Sequence, residues 1–261
     1  MVGRLENKVA IVTGGAGGIG AATGQLFCEH GARVMLVDSE ADAMQAALAQ
    51  IRGSVAGAEV AALVADVGRE ETAARAVAET GRAFGPLDVL VNLAGIRAYE
   101  PLAEAKSETW QRIIAVNLMS YAYFARAALP DLRACGRGAI VNISSTHGVN
   151  PRAGMGQYDV TKAGIISMTR TLAFEEAKHG VRVNAVCPGL TLTPFHLRRA
   201  QAAGRTRADL DREAADGCLI GRWADAREVA FPILWLASEE SSYVTGAVLM
   251  VDGGRFVKTG L

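Results

Sequence analysis

Of the five tyrosines in the chain, only Tyr158 is followed four residues later by a lysine, Lys162. On a helix that spacing puts both side chains on one face. A free phenol titrates near pH ~10 and is a poor base at neutrality, but a nearby ammonium favours the phenolate. Lowering the phenol by ~3 units takes about 4 kcal/mol of differential interaction, within reach of two close positive charges. A tyrosine tuned in this way can exchange a proton as a general acid or base near neutrality. Ser145 lies thirteen residues before Tyr158, with His147 two residues beyond the serine. No G-x-S-x-G turn surrounds Ser145, and closeness in sequence is not triad geometry, so a Ser–His hydrolase is set aside.

A second chemistry lies near the start. The run Val9–Thr13 leads directly into Thr13-Gly14-Gly15-Ala16-Gly17-Gly18-Ile19-Gly20. Residues without Cβ let backbone N–H groups approach phosphate oxygens, and the helix that follows adds its partial positive charge. No Lys-Ser/Thr pair follows the glycines, which argues against a nucleoside-triphosphate loop and for a dinucleotide. Asp38 ends the next strand, 18 residues beyond Gly20. A carboxylate there can accept hydrogen bonds from the adenine ribose and would repel a 2′-phosphate, which favours NAD over NADP. The competing role for Asp38 is a helix N-cap.

These groups need a scaffold, and the chain alternates strand-like and helix-like stretches throughout. Val9–Thr13, Arg33–Val37, Val60–Val64, Val89–Asn92, Ala139–Ile143, Val181–Val186 and Val248–Val251 are short and nearly all apolar, as strands covered on both faces should be. Between them lie helix-length segments at 18–30, 41–52, 70–84, 108–132, 157–178 and 227–237, with Gly31, Gly85, Gly136 and Gly180 at C-terminal cap positions. Repeated β-α-β units predict an α/β fold, a doubly wound, Rossmann-like parallel sheet of about seven strands with helices on both faces. No linker or repeat divides residues 1–261, so one dinucleotide-binding and catalytic domain is expected. A polar insertion around 194–222 falls at the carboxyl edge of the sheet, where ligands bind in such folds.

Taken together, Thr13-Gly14-x-x-x-Gly18-Ile19-Gly20, Asn92-Leu93-Ala94-Gly95, Asn117, Ser145, Tyr158-x-x-x-Lys162 and Pro188-Gly189 resemble the short-chain dehydrogenase/reductase family in its shorter, single-domain branch. The resemblance runs from Leu5 to Val251-Asp252-Gly253-Gly254. It implies a catalytic set of Asn117, Ser145, Tyr158 and Lys162. Tyr158 would be the acid/base and Ser145 the hydrogen-bond partner of the substrate oxygen. Lys162 would lower the Tyr158 pKa and hold the nicotinamide ribose, and Asn117 would anchor a water leading to solvent. It further implies cofactor contacts from Gly14, Gly18, Ile19, Gly20, Asp38, Asp66, Val67, Asn92, Ala94, Gly95, Pro188, Gly189, Thr191 and Thr193. Leu93 departs from the family, which usually has a second asparagine there; a sheet-stabilising hydrogen bond is what that puts in question. A homotetramer built on the 108–132 and 157–178 helices is implied too.

Composition bounds the rest. Lys and Arg number 27 against 27 Asp and Glu, so no basic excess calls for nucleic acid or an anionic membrane. Residues 9–28 carry no charge, but six glycines among them argue against a spanning helix. Cys28, Cys135, Cys187 and Cys218 are scattered and the four histidines lack metal spacing, so a reducing, cytoplasmic setting without a structural metal is expected. The family resemblance implies a small secondary alcohol or ketone as the partner. Arg97, His147 and Arg152 join Ser145 and Tyr158 as candidate substrate contacts. Arg198, Arg199, Arg205 and Arg207 form an acid-free run, balanced by Asp209, Asp211, Glu213 and Asp216. As a charge run it reads as a solvated helix face; near the pocket, a guanidinium would instead suit a carboxylate, phosphate or sulfonate. The alternatives to an NAD-dependent alcohol dehydrogenase are an NADP-dependent ketoreductase of the same family and a non-catalytic dinucleotide-binding module.

Overall fold

The computed structural model describes residues 3–259. Its strands are β1 (Val9–Thr13), β2 (Arg33–Asp38), β3 (Val60–Val64), β4 (Val89–Asn92), β5 (Ala139–Ile143), β6 (Arg182–Pro188) and β7 (Val248–Val251). All pair in parallel, in the order β3-β2-β1-β4-β5-β6-β7. The helices are α1 (Gly18–Glu29), α2 (Ala41–Ser54), α3 (Glu70–Phe84), α4 (Ser107–Ile114), α5 (Ser120–Ala134), α6 (Gly156–Glu176), α7 (Pro194–Ala202), α8 (Arg207–Gly217), α9 (Ala226–Ala237) and α10 (Arg255–Thr259).

Side chains alternate across the sheet, so each strand feeds two cores. Ala10, Val12, Val34, Leu36, Val91 and Val141 pack with Leu26 and Phe27 of α1, Met44 of α2 and Ile233 of α9. Val9, Ile11, Met35, Val37, Leu90 and Ile140 pack with Ala76 of α3 and with Phe124 and Leu132 of α5. Residues such as Phe27 and Phe124 are fully buried, each contributing about 1.5–3 kcal/mol of apolar burial. Both faces being covered explains why the strands are apolar runs rather than alternating ones.

Three local departures bear on the site. The single helix expected over 108–132 is interrupted by a wider, π-helical turn, Ala115–Met119, between α4 and α5. Such bulges recur at functional sites because they re-aim a side chain out of the regular helix, and here the residue re-aimed is Asn117. The polar insertion forms two helices rather than one long segment. Thr206 Oγ1 accepts from the Asp209 N–H at 3.3 Å and Asp209 Oδ2 accepts from the Thr206 N–H at 2.7 Å, a capping box that starts α8 afresh. Finally, β6 begins at Arg182 and runs on to Pro188, which pairs with Val251 of β7.

Candidate active site

Strand order reverses between β1 and β4, and a groove opens over the carboxyl ends of the strands at that point. The turn after β1 is tied to β2, with Gly14 N and Gly15 N donating to Val37 O at 2.8 and 3.2 Å. Gly18 adopts φ +55, a left-handed backbone. At Gly20 a Cβ would stand 2.0 Å from Gly14 O, so only glycine lets α1 start this close to the turn. Gly17, the N-cap of α1, borders the groove, and a Cβ built on it meets no protein atom within 4 Å. The amino end of α1 therefore faces open space, the arrangement that holds a phosphate.

Asp38 lines the same groove from the end of β2. Its Oδ2 accepts from Ala16 N at 3.0 Å and its Oδ1 from Glu40 N at 3.3 Å, which fixes the carboxylate against the glycine turn. It is not the N-cap of α2, a position held by Glu40. Asp66 and Val67 border the groove after β3, with Asp66 paired to Arg112 at 2.7 Å. Ala94 and Gly95 form the wall after β4, held by Thr13 Oγ1, which accepts from Leu93 N at 3.0 Å and Ala94 N at 3.2 Å. Gly14, Gly18 and Ile19 lie along the turn, and Pro188, Gly189, Thr191 and Thr193 close the far wall. Thr191 Oγ1 is buried there without a hydrogen-bond partner among the described residues. An open helix terminus, a fixed carboxylate and an orphaned hydroxyl along one groove fit an adenine dinucleotide ending in a carboxamide.

Two expected contacts are not on this wall. Gly20 sits behind the turn. Asn92 is buried, and its Nδ2 donates to Asn142 Oδ1 at 3.0 Å, while Asn142 Nδ2 donates to Thr169 Oγ1 at 3.0 Å. Asn92 therefore ties β4 to β5 and to α6 and does not face the groove; its position in the motif could not reveal which way the side chain turns.

Tyr158 and Lys162 share a face of α6, as their spacing predicts, and Ser145 approaches from the loop after β5. Lys162 Nζ donates to Ile143 O at 2.8 Å and lies 5.7 Å from the Tyr158 ring centroid. Burial, then the charge of Arg97, push the lysine down to about 7. Burial also raises the Tyr158 phenol above its ordinary value; Arg97 is the largest opposing influence, followed by a hydrogen bond from Ser145. The Arg97 guanidinium lies 5.4 Å from the Tyr158 ring centroid and 5.6 Å from that of Phe195. Asn117 lies one layer deeper. Its Oδ1 accepts from Ile96 N at 2.8 Å and its Nδ2 donates to Ile96 O at 2.9 Å, which binds the wide turn to the loop carrying Arg97. Gly95 leaves room beside them, since a Cβ there would stand 3.5 Å from both Asn117 Oδ1 and Lys162 Nζ.

Beyond Ser145 the groove meets a recess of about 110 Å³. Arg97, His147 and Arg152, the candidate substrate contacts, border it. His147 is held down to about 4 by burial and then by Arg152, Arg97 and Arg255, so it is neutral at pH 7. Its Nδ1 comes within 3.2 Å of Asp159 Oδ1 without hydrogen-bond geometry. Trp223, Arg199 and Arg255 also border the recess; neither Trp223 nor Arg255 is a site candidate by its place in the sequence. Tyr121 was missed as well: its hydroxyl donates to Ile143 O at 3.0 Å, the carbonyl that also receives Lys162. No local motif marks these three, because only the fold brings them near Ser145 and Lys162.

All four cysteines are free thiols. Among the described residues no His/Cys/Asp/Glu group could hold a metal, and no helix is long and apolar enough to cross a membrane.

Comparison with known proteins agrees with this architecture. A family model described as enoyl-(acyl carrier protein) reductase matches residues 14–255. The chain is 41% identical over 251 residues to cis-4-hydroxycyclohexanecarboxylate dehydrogenase of Sinomonas cyclohexanicum, covering 96% of this chain and 97% of that one. It is 39% identical over 256 residues to galactitol 2-dehydrogenase (L-tagatose-forming) of Cereibacter sphaeroides, covering 97% of each. The crystal structure of L-sorbose reductase from Gluconobacter frateurii, complexed with NADPH and L-sorbose, superposes with TM-score 0.93 at 33% identity over 100% of both chains. With the full-length match, the sheet order and the Tyr158–Lys162 pair beside the glycine turn, the chain belongs to the short-chain dehydrogenase/reductase family of oxidoreductases.

Proposed function

We propose that the protein interconverts a secondary alcohol and its ketone with NAD as cofactor, using Tyr158 as the acid/base. The observation that carries this reading is the convergence of Tyr158, Lys162 and Ser145 where the dinucleotide groove meets the recess. Bound NAD supplies the hydride acceptor in oxidation, and NADH the donor in reduction. In oxidation the Tyr158 oxygen takes the hydroxyl proton of the substrate, and in reduction it returns one. Ser145 holds the substrate oxygen by hydrogen bonding and so fixes which carbon faces the cofactor. Lys162, buried and able to change protonation near neutrality, passes the proton onward, with Asn117 ordering the exit route. Asp38 supports NAD over NADP, because its fixed carboxylate accepts from ribose hydroxyls and repels a 2′-phosphate. The L-sorbose reductase was solved with NADPH, so the choice rests on Asp38 in this chain.

Relatives named for ring-alcohol and polyol oxidation support a secondary carbinol as the reacting group. The 194–222 insertion acts as the substrate-side cap of a single catalytic unit. That unit works in the cytoplasm as a homo-oligomer, a state favoured by exposed apolar residues on α6 such as Phe174, 89% exposed. An NAD-reduction screen over diverse secondary alcohols tests the reading, with Tyr158→Phe as the blank. Loss of general acid–base catalysis should lower turnover by about 10²–10⁴-fold. A Tyr158→Phe enzyme as fast as the parent would defeat the assignment.

A further inference from the structure

The recess beyond Ser145 is unusually cationic for a protein of zero net charge. Arg97, Arg152, Arg199, Arg205 and Arg255 border it, with Glu213 as the single acid. Glu213 is already committed to Arg205 at 2.7 Å. Elsewhere on the insertion, Arg207 pairs with Asp211 at 2.8 Å, Arg212 with Asp209, and Arg222 with Glu228 at 2.7 Å. Arg152 has Asp159 beside it, which accepts from its backbone N–H at 2.8 Å, whereas neither Arg97 nor Arg199 forms an ion pair with a carboxylate among the described residues.

Two of these guanidiniums are held by aromatic rings instead. Arg199 lies 4.0 Å from the Tyr99 ring centroid, and Arg97 lies between Tyr158 and Phe195. Stacking on a ring face orients a guanidinium without neutralising it. Arg97 Nη1 also donates to the Tyr99 hydroxyl at 3.4 Å, a neutral partner that steadies the group and leaves its positive charge unpaired by a carboxylate. The cap that carries Arg199 is itself anchored. Ala200, Leu210, Ala214 and Trp223 form a small core, and Trp223 Nε1 donates to Leu210 O at 2.7 Å. His147 and His196 record the local field, since burial and then the neighbouring arginines hold each down to about 4.

Resting on the alcohol–ketone reading above, we propose that the substrate is a compact secondary alcohol bearing an oxyanion, with its anionic end held by Arg97 and Arg199 while its carbinol meets Ser145 and Tyr158. Arg97 borders both the groove and the recess, so it can reach an anion attached close to the reacting carbon. A carboxylate and a phosphate share the chemistry a guanidinium fork recognises.

The test uses the full chain saturated with NADH and reads binding apart from turnover. Malonate, inorganic phosphate and neutral malonamide are titrated by calorimetry against the parent, Arg97→Met and Arg199→Met. The parent should bind malonate or phosphate about ten- to hundredfold more tightly than malonamide, and each variant should lose most of that preference. Tighter binding of malonate than of phosphate assigns a carboxylate, and the reverse a phosphate. Equal affinity of the parent for malonate and malonamide, with phosphate no better, overturns the proposal. So does a preference that survives in both variants. Turnover of 3-hydroxybutyrate against 3-hydroxybutyramide, with glycerol 3-phosphate against glycerol, is then read in parallel. Anion binding without any alcohol oxidation would sink the catalytic reading alone; oxidation that favours the neutral partners would sink the oxyanion alone.

Discussion

Cofactor choice should turn on the charge of Asp38, and Asp38→Asn is the perturbation that isolates it. The carboxylate has two jobs, since its Oδ2 also accepts from Ala16 N at 3.0 Å within the glycine turn. Alanine would remove both, whereas asparagine deletes the charge and keeps its amide oxygen for Ala16 N, giving up only the longer 3.3 Å bond from Glu40 N. Hydrogen bonds to a charged group contribute about 1.5–3 kcal/mol, against about 0.5–1.5 for neutral pairs. NAD should therefore lose about 1–2 kcal/mol through its ribose hydroxyls, or about 5- to 30-fold in kcat/KM. For NADP the sign is opposite. Two unit charges at ~4 Å repel by about 1 kcal/mol in water and about 4 kcal/mol near a protein surface. Asp38 is half-buried, so relief of roughly 1–3 kcal/mol is reasonable after solvent screening. Summed, the NAD:NADP efficiency ratio should move by about 3 kcal/mol, roughly two orders of magnitude. Initial rates with each cofactor, at one fixed alcohol concentration, measure it. A parent enzyme that prefers NADP, or an Asp38→Asn ratio within about threefold of the parent, would refute the assignment of Asp38 as the selector.

Two further outcomes follow from the buried cations. With Tyr158 as the proposed acid/base, the rate of alcohol oxidation should rise with pH while ketone reduction falls; because Arg97 is the main influence opposing burial of the phenol, Arg97→Met should move the rising limb to higher pH. A limb left in place by Arg97→Met in pH–rate profiles would contradict this. Lys162, held down to about 7, takes up fewer protons folded than unfolded between about pH 7 and pH 10, so stability should increase with pH across that window. Lys162→Met should accordingly raise Tm at pH 7 while abolishing turnover, since Ile143 O keeps the Tyr121 hydroxyl at 3.0 Å; a lower Tm by calorimetry would count against it.

The parts of this molecule legible in sequence are those whose physics is local. A strand covered on both faces must be apolar along its length, so the seven strands lie where the apolar runs are. The glycine turn is equally local, because Gly18 and Gly20 are demanded by φ and by contact within a few residues. Tyr158 and Lys162 share a helix face through spacing alone. What did not show was set by partners distant in the chain. Asn117 leaves the helical register to bond the Ile96 backbone, and nothing in the 108–132 apolar pattern announces that. The break between α7 and α8 did leave a signal, Thr206 three residues before Asp209, hidden inside a polar stretch. The arginine run divided: Arg205 and Arg207 pair with Glu213 and Asp211, as a solvated face should, whereas Arg199 turns to Tyr99 and the recess.

The same separation governs the charge beside the phenol. Lys162 is spaced to meet Tyr158, yet it is only 3% exposed and bonds a backbone carbonyl. In that setting desolvation works against the ammonium, and the residue spends its binding capacity near neutrality on exchanging a proton. Arg97 lies at a similar distance from the ring, 5.4 Å against 5.7 Å, but on a half-buried loop. A guanidinium does not give up its proton in a protein, so its charge persists where the lysine's wavers. Permanent positive charge at Tyr158 therefore comes from the loop after β4, and the titrating group from α6. A fixed charge can bias a phenol without ever exchanging its proton, while a group titrating near neutrality can pass one on; dividing the tasks between Arg97 and Lys162 lets each residue have the environment its task requires.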